Sequence, residues 1–298
     1  MTLVLTASEL FTRHAPLGFV FRDASDRSLI VEGLDVGIAD SERPWRKTKL
    51  AATPSGTWTT PRLPGLGATL AGEPGDWPAN RRDFDLTVED SLGRFVPARF
   101  TAGLPARGRF AWPAWPGFNQ ARIRPLLPPD PPAAYEPDYL PLFPAIARAP
   151  PGPRTMVRAQ LAIRQPDGSD RPAAWAAMTV SVSNRIVALG IAGASGAVVA
   201  SGAYPALPSQ TVAEAAAGRS EVSWEATIRV YYDALEGALP DQSEILGQLS
   251  KPSRRALLNL SPGEPQLPPQ TLTLGRPLTL ATMRTATERF STLYLKAD

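Results

Sequence analysis

Two segments of this chain carry matching residues in the same order. Residues 23–40 read DASDRSLIVEGLDVGIAD and residues 167–184 read DGSDRPAAWAAMTVSVSN, so Asp, Ser, Asp, Arg and a later valine match without a gap. Each segment is followed by a Ser-Gly pair, Ser55-Gly56 and Ser195-Gly196, and 29 residues beyond each serine an alternating run begins, at Phe84 and Trp224. Three landmarks in one order indicate a tandem duplication of one structural unit.

Proline limits what this unit can be. The chain of 298 residues contains 33 prolines and 23 glycines. Helices cannot absorb so many prolines, because each interior proline removes a backbone hydrogen bond and clashes with the preceding turn. We therefore expect a mostly β protein, and the length is sufficient for two domains with separate cores.

Alternating apolar residues predict a first β-sandwich at residues 17–100, after an N-terminal arm of residues 1–16. Its clearest strand carries Phe84, Leu86 and Val88 on one face and acidic or hydroxyl side chains on the other. The sequence also predicts strands at Phe19–Phe21, Val36–Ile38 and Thr57–Thr59. A turn at residues 91–94 should return the chain through Phe95 and Val96 as a hairpin.

Residues 101–154 form a connector rich in proline and aromatic residues, with eleven prolines between Pro125 and Pro153. Such a segment favours extended polyproline conformations and acts as a stiff spacer. Its aromatic residues are candidates for a partner interface, with packing inside the chain and ligand stacking as the alternatives. The candidate interface residues are Phe110, Trp112, Trp115, Phe118, Tyr135, Tyr139 and Phe143.

A second β-sandwich is predicted at residues 155–239, followed by a C-terminal arm of residues 240–298. Strands are expected near residues 157–163, 178–182, 186–189, 197–200 and 222–232. In the arm, the pattern predicts a short helix at residues 243–249, a further one at residues 254–260, and then short strands that form an appended hairpin. We expect the hairpin to pair with the sheet edge of a neighbouring subunit.

Residues that could carry chemistry are scarce. The chain has no cysteine and a single histidine, His14, which lies in the N-terminal arm without a G-x-S-x-G motif elsewhere. The aspartate pairs of the repeat, Asp23/Asp26 and Asp167/Asp170, admit a calcium interpretation, but tight turns use the same residue types. The carboxylates of Asp83 and Asp85, and of Glu221 and Glu225, fit a solvated sheet face better than a glycosidase pair. We expect no catalytic residues, no metal and no cofactor.

Charge and hydropathy exclude further classes. The 31 basic and 28 acidic residues leave a net charge of only +3, which does not imply a nucleic-acid partner. No segment approaches the ~20 apolar residues that a membrane helix needs, and the N-terminus lacks the features of a secretory signal. We therefore expect cytoplasmic synthesis of a soluble protein without membrane insertion.

The order of elements resembles that of the carboxypeptidase regulatory-like, or prealbumin-like, β-sandwich. The resemblance rests on a strand, an Asp-rich turn, a valine-containing strand, a Ser-Gly turn leading to Leu63-Pro64-Gly65, and a late alternating strand. It covers residues 17–100 and, more loosely, residues 155–233. Enzymes with related folds do not match, because zinc carboxypeptidases and transthyretin-like hydrolases need more histidines than this chain has.

The resemblance implies a binding or structural module. We expect a non-enzymatic structural protein, in the style of baseplate, collar or cap components of contractile injection systems and phage-tail-like particles, located in the cell or in a released particle. Its partners would be other protein subunits, including further copies of itself. The first alternative is a carbohydrate-binding or adhesive module that uses Trp112 and Trp115, and the second is a hydrolase that depends on His14 or on a carboxylate pair buried in a cleft.

Overall fold

A computed structural model describes residues 17–66, 81–105, 139–149, 152–165, 167–206, 221–261, 263, 265–285 and 287–296. Over these ranges the protein is mostly β, as the sequence predicts. None of the helices in the described ranges has the length and apolar character required to cross a bilayer.

The first part of the chain, residues 17–149, forms two four-stranded sheets that we call unit 1. The first sheet has the order β4 (Ala51–Ala52), β5 (Thr57–Thr59), β1 (Phe19–Asp23), β8 (Leu140–Leu142). The second has the order β3 (Arg43–Lys49), β2 (Leu34–Asp40), β6 (Arg82–Asp90), β7 (Ala98–Leu104).

The core of unit 1 lies between these sheets. Phe19 and Phe21 of the first sheet are fully buried and belong to the same hydrophobic cluster as Phe84 and Leu86 of the second. The alternation predicted for β6 is confirmed, because its apolar residues are buried while the polar residues next to them are exposed or half-buried. Burial of such side chains stabilises the fold by roughly 1.5–3 kcal/mol each.

Strand β8 completes unit 1 from within the predicted connector. It pairs in parallel with β1, with Phe21 opposite Leu140. The predicted domain border at Phe100 falls inside β7, which continues to Leu104. The predicted hairpin after the turn at residues 91–94 is confirmed as the β6–β7 pair, but its second strand begins at Ala98 and not at Phe95, because the Val96 amide donates to the Phe143 carbonyl.

Residues 152–296, which we call unit 2, contain one nine-stranded sheet. Its strands are β9 (Thr155–Arg164), β10 (Asp170–Pro172), β11 (Ala177–Val182), β12 (Arg185–Ile191), β13 (Ala197–Gly202), β14 (Ser223–Tyr231), β15 (Gln270–Thr273), β16 (Leu278–Leu280) and β17 (Leu293–Lys296). The order is β10-β9-β13-β12-β11-β14-β15, and both β16 and β17 pair with β9. The strands predicted for the second sandwich are confirmed.

The sheet of unit 2 closes on itself through residues 254–257. The Arg254 amide donates to the Val230 carbonyl of β14 at 2.7 Å, and Ala256 pairs with Leu295 of β17. Because β17 pairs with β9, the hydrogen-bonded neighbours form a closed circuit. The helix predicted at residues 254–260 is wrong: this segment is extended, and it provides the pairing that closes the sheet.

The C-terminal segment completes unit 2 instead of extending away from it. Strand β15 lies beside β14, and β16 and β17 run parallel to β9. These are the positions that β7 and β8 occupy beside β6 and β1 in unit 1. The predicted C-terminal hairpin is therefore wrong: the described strands of this segment pair with β14 and β9 of the chain's own sheet, and not with one another.

The two units repeat not only their strand order but also their register. Val36 pairs with Val88 in unit 1, and the matching valine of the repeat, Val180, pairs with Ile228 in unit 2. The Ser-Gly turns also agree. The Thr53 amide donates to the Thr57 carbonyl at 2.8 Å, and the Gly193 amide donates to the Ala197 carbonyl at 2.9 Å. Matching pairings at both sites support the interpretation of a tandem repeat.

A short helix joins the units. Helix α1 (Gln242–Gly247) begins after Asp241, whose side chain accepts a hydrogen bond from the Ser243 amide at 2.8 Å, and it continues as a 3₁₀ turn to Ser250. Its buried residues Ile245, Leu246 and Leu249 belong to the same hydrophobic cluster as strands of both units. The predicted helix at residues 243–249 is thus confirmed, and it lies in a core that the two units share.

Polar contacts fix this helix on both sides. The Thr101 hydroxyl of β7 donates to Asp241 at 3.0 Å. On the other side, the buried Gln248 side chain donates to the Trp175 carbonyl at 2.9 Å and accepts from the Asp233 amide at 2.6 Å. These contacts hold unit 1 and unit 2 in one relative position.

Candidate protein-binding surface

The interface residues predicted from the sequence divide into two groups. Phe110, Trp112, Trp115, Phe118 and Tyr135 lie outside the described residues. Tyr139 and Phe143 are described, and both are buried, with exposed fractions of 8% and 2%. Tyr139 lies beneath the Arg22 guanidinium, and Phe143 packs in the core of unit 1. These two side chains follow the alternative of packing inside the chain, and they are not accessible to a partner.

Strand β3 of unit 1 is exposed along nearly its whole length. Its sequence is RPWRKTK, and every residue except Thr48 is exposed. Among the described residues it pairs only with β2, so its second edge has no neighbouring strand. Open edges of this kind are where another extended chain can add to a sheet.

Trp45 lies near the middle of this edge. Its exposed fraction is 75%, which is the largest among the exposed large hydrophobic residues of the described chain. The pairing of β3 with β2 is irregular here: Ile38 is opposite Thr48, but Asp40 is opposite Arg43. Four residues of β3, Pro44 to Lys47, therefore lie opposite the single residue Ala39, and Trp45 belongs to this irregular stretch. Tryptophan at such a position is typical of protein-binding surfaces.

Basic residues surround Trp45. Arg43, Arg46, Lys47 and Lys49 lie in this one strand, which contains no acidic residue. Lys49 pairs with Asp35 at 2.9 Å, and this hydrogen bond, with the charges of both lysines, holds the pKa of the Asp35 carboxyl below its usual value. The aliphatic part of Lys47 lies across Gly37, where any Cβ would overlap it. The glycine thus makes room for a lysine on the surface.

Acidic residues lie on the same sheet, two strands away. Strand β6 carries Asp83, Asp85 and Glu89 between its buried apolar residues. Asp85 is near Arg99 of β7, with 3.6 Å between the charged atoms. Neighbouring strands lie ≈ 4.8 Å apart, so this acidic row is roughly 10 Å from β3. The basic surface is therefore narrow.

The equivalent strand of unit 2 differs from β3 in its sequence and in its neighbours. Strand β12 reads RIVALGI, and its last four residues are buried. On the side away from β11 it pairs with β13, with Leu189 opposite Ser201. A Cβ at Gly190 would overlap the Val199 carbonyl, so a glycine is needed for this close approach. The C-terminal half of this strand is thus buried and apolar beside β13 in unit 2, whereas β3 is basic and has no second neighbouring strand among the described residues of unit 1.

The loops at one end of unit 1 form a second exposed surface. Leu29, Val31, Leu92 and Ile146 are 41%, 44%, 63% and 42% exposed. Leu29 and Val31 close over Gly56, where a Cβ would lie 2.7 and 2.9 Å from their side chains. We call these four residues the apolar loop end.

The same end of unit 2 is covered. Trp175 occupies the position of Val31 in the repeat, yet it is only 6% exposed and its carbonyl accepts from Gln248. The covering helix belongs to the segment between β14 and β15, whereas β6 and β7 of unit 1 are joined by a short turn. The described residues of unit 1 therefore contain no equivalent of this helix over the apolar loop end.

Three of the four aspartates of the repeat accept hydrogen bonds from backbone amides within their own turns. One carboxylate oxygen of Asp23 accepts from the Ser25 amide at 2.7 Å, and one of Asp167 accepts from the Ser169 amide at 2.8 Å. Asp26 accepts from the Ser28 amide in the same way. The turn interpretation is confirmed for these three residues. Asp170 lies instead in β10, where it pairs with Arg164 at 2.9 Å.

Asp23 also forms a buried salt bridge. Its side chain pairs with Arg148, whose guanidinium lies 4.3 Å from the centre of the Phe95 ring. Burial raises the pKa of the Asp23 carboxyl, against the opposing hydrogen bonds from Ser25 and the charge of Arg148. Both partners are enclosed by unit 1, so this pair connects the turn after β1 to the segment after β8.

The remaining candidates for chemistry stay apart. His14 lies outside the described residues. Glu221 pairs with Arg276 at 2.9 Å, and Glu225 is exposed on β14. Across the ranges that the structure describes, no three His, Asp or Glu residues come close enough to hold a metal ion.

Comparison of the chain with protein-family models, with curated proteins and with solved structures gave no match.

Proposed function

We propose that this chain is a non-enzymatic subunit of a larger protein assembly, and that unit 1 carries its contacts to neighbouring subunits. One observation carries the proposal: in its described residues, unit 1 leaves open two surfaces whose counterparts in unit 2 contact other segments of unit 2. These are the edge of β3, whose counterpart β12 pairs with β13 at Leu189, and the apolar loop end, whose counterpart lies under α1.

Exposed apolar surface and an unpaired edge are unfavourable for an isolated protein. The repeat makes the comparison direct, because the same topology in the same chain shows how each surface is covered when no partner is needed. The shared hydrophobic cluster around α1 supports the proposal further, since it connects the surfaces of unit 1 to unit 2 through packed side chains.

The narrower setting that we propose is a baseplate, collar or cap of a contractile injection system or phage-tail-like particle. It rests on the sequence resemblance described above. The competing function is a carbohydrate-binding module, which the exposed ring of Trp45 would also suit. A glycan array with the purified chain distinguishes the two.

The test uses the full chain, tagged at its C-terminus and expressed in the cell that produces it. We expect it to sediment with a particle much heavier than the monomer, together with a fixed set of other proteins. The four lysines provide a sharp readout, because Lys47 and Lys49 lie on β3 while Lys251 and Lys296 belong to unit 2. Lysine cross-links to neighbours should be strongest at Lys47 and Lys49. Sedimentation at the monomer mass, without cross-linked partners, would refute the proposal.

A further inference from the structure

We propose that β3 of unit 1 binds an extended acidic segment of a partner protein, which adds to the sheet as a strand beside residues 45–48. This inference rests on the proposed function and specifies the chemistry of one contact. Three properties of the strand determine it: its charge, its open edge and its narrow width.

The positive charge of β3 determines that the ligand is negatively charged. Of the four cations in β3, Lys49 already has Asp35 as its partner, while Arg43, Arg46 and Lys47 form no ion pair among the described residues. Three exposed positive charges within five residues favour a ligand with several carboxylates. Arginine adds geometric preference, because its planar group binds carboxylate in two hydrogen bonds.

The open edge determines the form of the ligand. Backbone groups of β3 on the side away from β2 have no partner strand in the described chain. An added strand would satisfy them, and its alternate side chains would meet the cations. Pro44 has no amide hydrogen, so we expect the added strand to pair from Trp45 onward.

The narrow width of the basic surface on β3 argues against anionic partners that are broader than one extended chain. A nucleic-acid duplex or an anionic membrane would extend over the outer face of the sheet and meet Asp83, Asp85 and Glu89 on β6, roughly 10 Å away. The negative charges of such a ligand would then be repelled by these carboxylates. Single-stranded nucleic acid is narrow enough, but its binding sites use successive aromatic rings, and Trp45 is the only ring on β3. A single extended peptide fits the strip without reaching the acidic row.

Trp45 provides the apolar part of the site. Its ring is three-quarters exposed and lies between Arg43 and Arg46 in the sequence. An apolar side chain on the added strand would cover it, and this contact should supply much of the affinity that salt does not screen. We therefore expect the natural segment to alternate acidic and apolar residues.

The experiment measures fluorescence anisotropy of a labelled eight-residue peptide that alternates Glu with Val and Phe, added to the purified full chain. The same peptide with Lys in place of Glu, a short single-stranded oligonucleotide and phosphatidylserine vesicles are compared. We expect binding of the Glu peptide alone, weakened about tenfold when salt is raised from low to about 0.5 M. Equal or tighter binding of the oligonucleotide or the vesicles would overturn the assignment to a peptide, and so would binding of the Lys peptide.

Variants locate the site. The double substitution Arg46→Glu with Lys47→Glu should weaken peptide binding at least about tenfold, and Trp45→Ala about fivefold. The matched control is Arg185→Glu with Arg229→Glu on exposed positions of unit 2, which should change binding less than about twofold. All these residues are exposed, so thermal melting should remain close to that of the wild type. Equal loss in the control pair, or none in the β3 variants, would refute the site.

Hydrogen exchange tests the mode of binding. Addition of the Glu peptide should slow exchange of the amides of Trp45 to Thr48, because strand addition engages backbone groups. Binding without this protection would contradict strand addition. Failure of the peptide assay while the tagged chain still sediments in a particle would refute only this inference, whereas a monomeric chain in the cell would refute the proposed function.

Discussion

Replacement of Gln248 by Ala should loosen the joint between the two units more than any exposed change in α1. The Gln248 side chain is only 2% exposed, and it makes three hydrogen bonds: to the carbonyls of Trp175 and Ile245 at 2.9 and 3.0 Å, and from the Asp233 amide at 2.6 Å. Alanine keeps the helix backbone but provides none of these bonds.

The expected loss in the free energy of unfolding follows from the polar groups that Gln248→Ala leaves without hydrogen-bond partners. The Trp175 carbonyl and the Asp233 amide would lose the hydrogen bond that Gln248 supplies in the shared core. Leaving a buried polar group unsatisfied costs about 1–3 kcal/mol; the Trp175 carbonyl is buried and the Asp233 amide is half-buried, so the loss of their hydrogen bonds predicts a decrease of roughly 2–3 kcal/mol in the free energy of unfolding. The cavity left by the shorter side chain adds to this loss.

The assay is urea denaturation followed by tryptophan fluorescence and circular dichroism. The matched control is Gln270→Ala, because that side chain donates to the Pro268 carbonyl in an exposed position and should contribute less than about 0.5 kcal/mol. We expect a lower midpoint for Gln248→Ala without a change in slope. A Gln248→Ala midpoint as high as that of the control would refute the reasoning about the joint.

Gly190→Ala should destabilise unit 2 by several kcal/mol or prevent its folding, because the new Cβ would overlap the Val199 carbonyl, whereas Gly193→Ala has space and should have little effect; thermal melting of both variants checks this. Asp90→Asn should reduce the sensitivity of stability to acid. Burial tends to raise the pKa of Asp90, but hydrogen bonds from Arg94 outweigh it and hold the pKa below 3.8. The stability that Asp90 contributes is therefore present above about pH 4 and lost as the pH falls through the lower folded-state pKa. Denaturation midpoints between about pH 5 and 2 should fall less steeply in Asp90→Asn, and an unchanged slope would contradict the assignment.

Local patterns predicted most of the strands, for identifiable reasons. The alternation of Phe84, Leu86 and Val88 specified both the strand β6 and its buried face, since a strand buried on one side must alternate. The Asp and Ser residues of the repeat specified turns through their own hydrogen bonds, which need no distant partner.

The candidate surface was not predicted from the sequence. Strand β3 has no apolar alternation, because neither of its faces is buried, so periodicity could not reveal it. A signal was nevertheless present: Lys47 and Lys49 are two of only four lysines in the chain, and they lie beside a tryptophan and two arginines. What the sequence could not show is that this segment forms the edge of a sheet.

The sequence alone determined that this protein is built of strands and repeats itself, because proline content, turn residues and period-two patterns act within a few residues of one another. Only the tertiary structure decided that β8 and the C-terminal strands complete the two units, that α1 lies in their shared core, and that β3 has no second neighbouring strand among the described residues. These outcomes depend on pairing between residues far apart in the chain. Which distant segments meet is decided by the packing of the whole chain, and no local pattern records it.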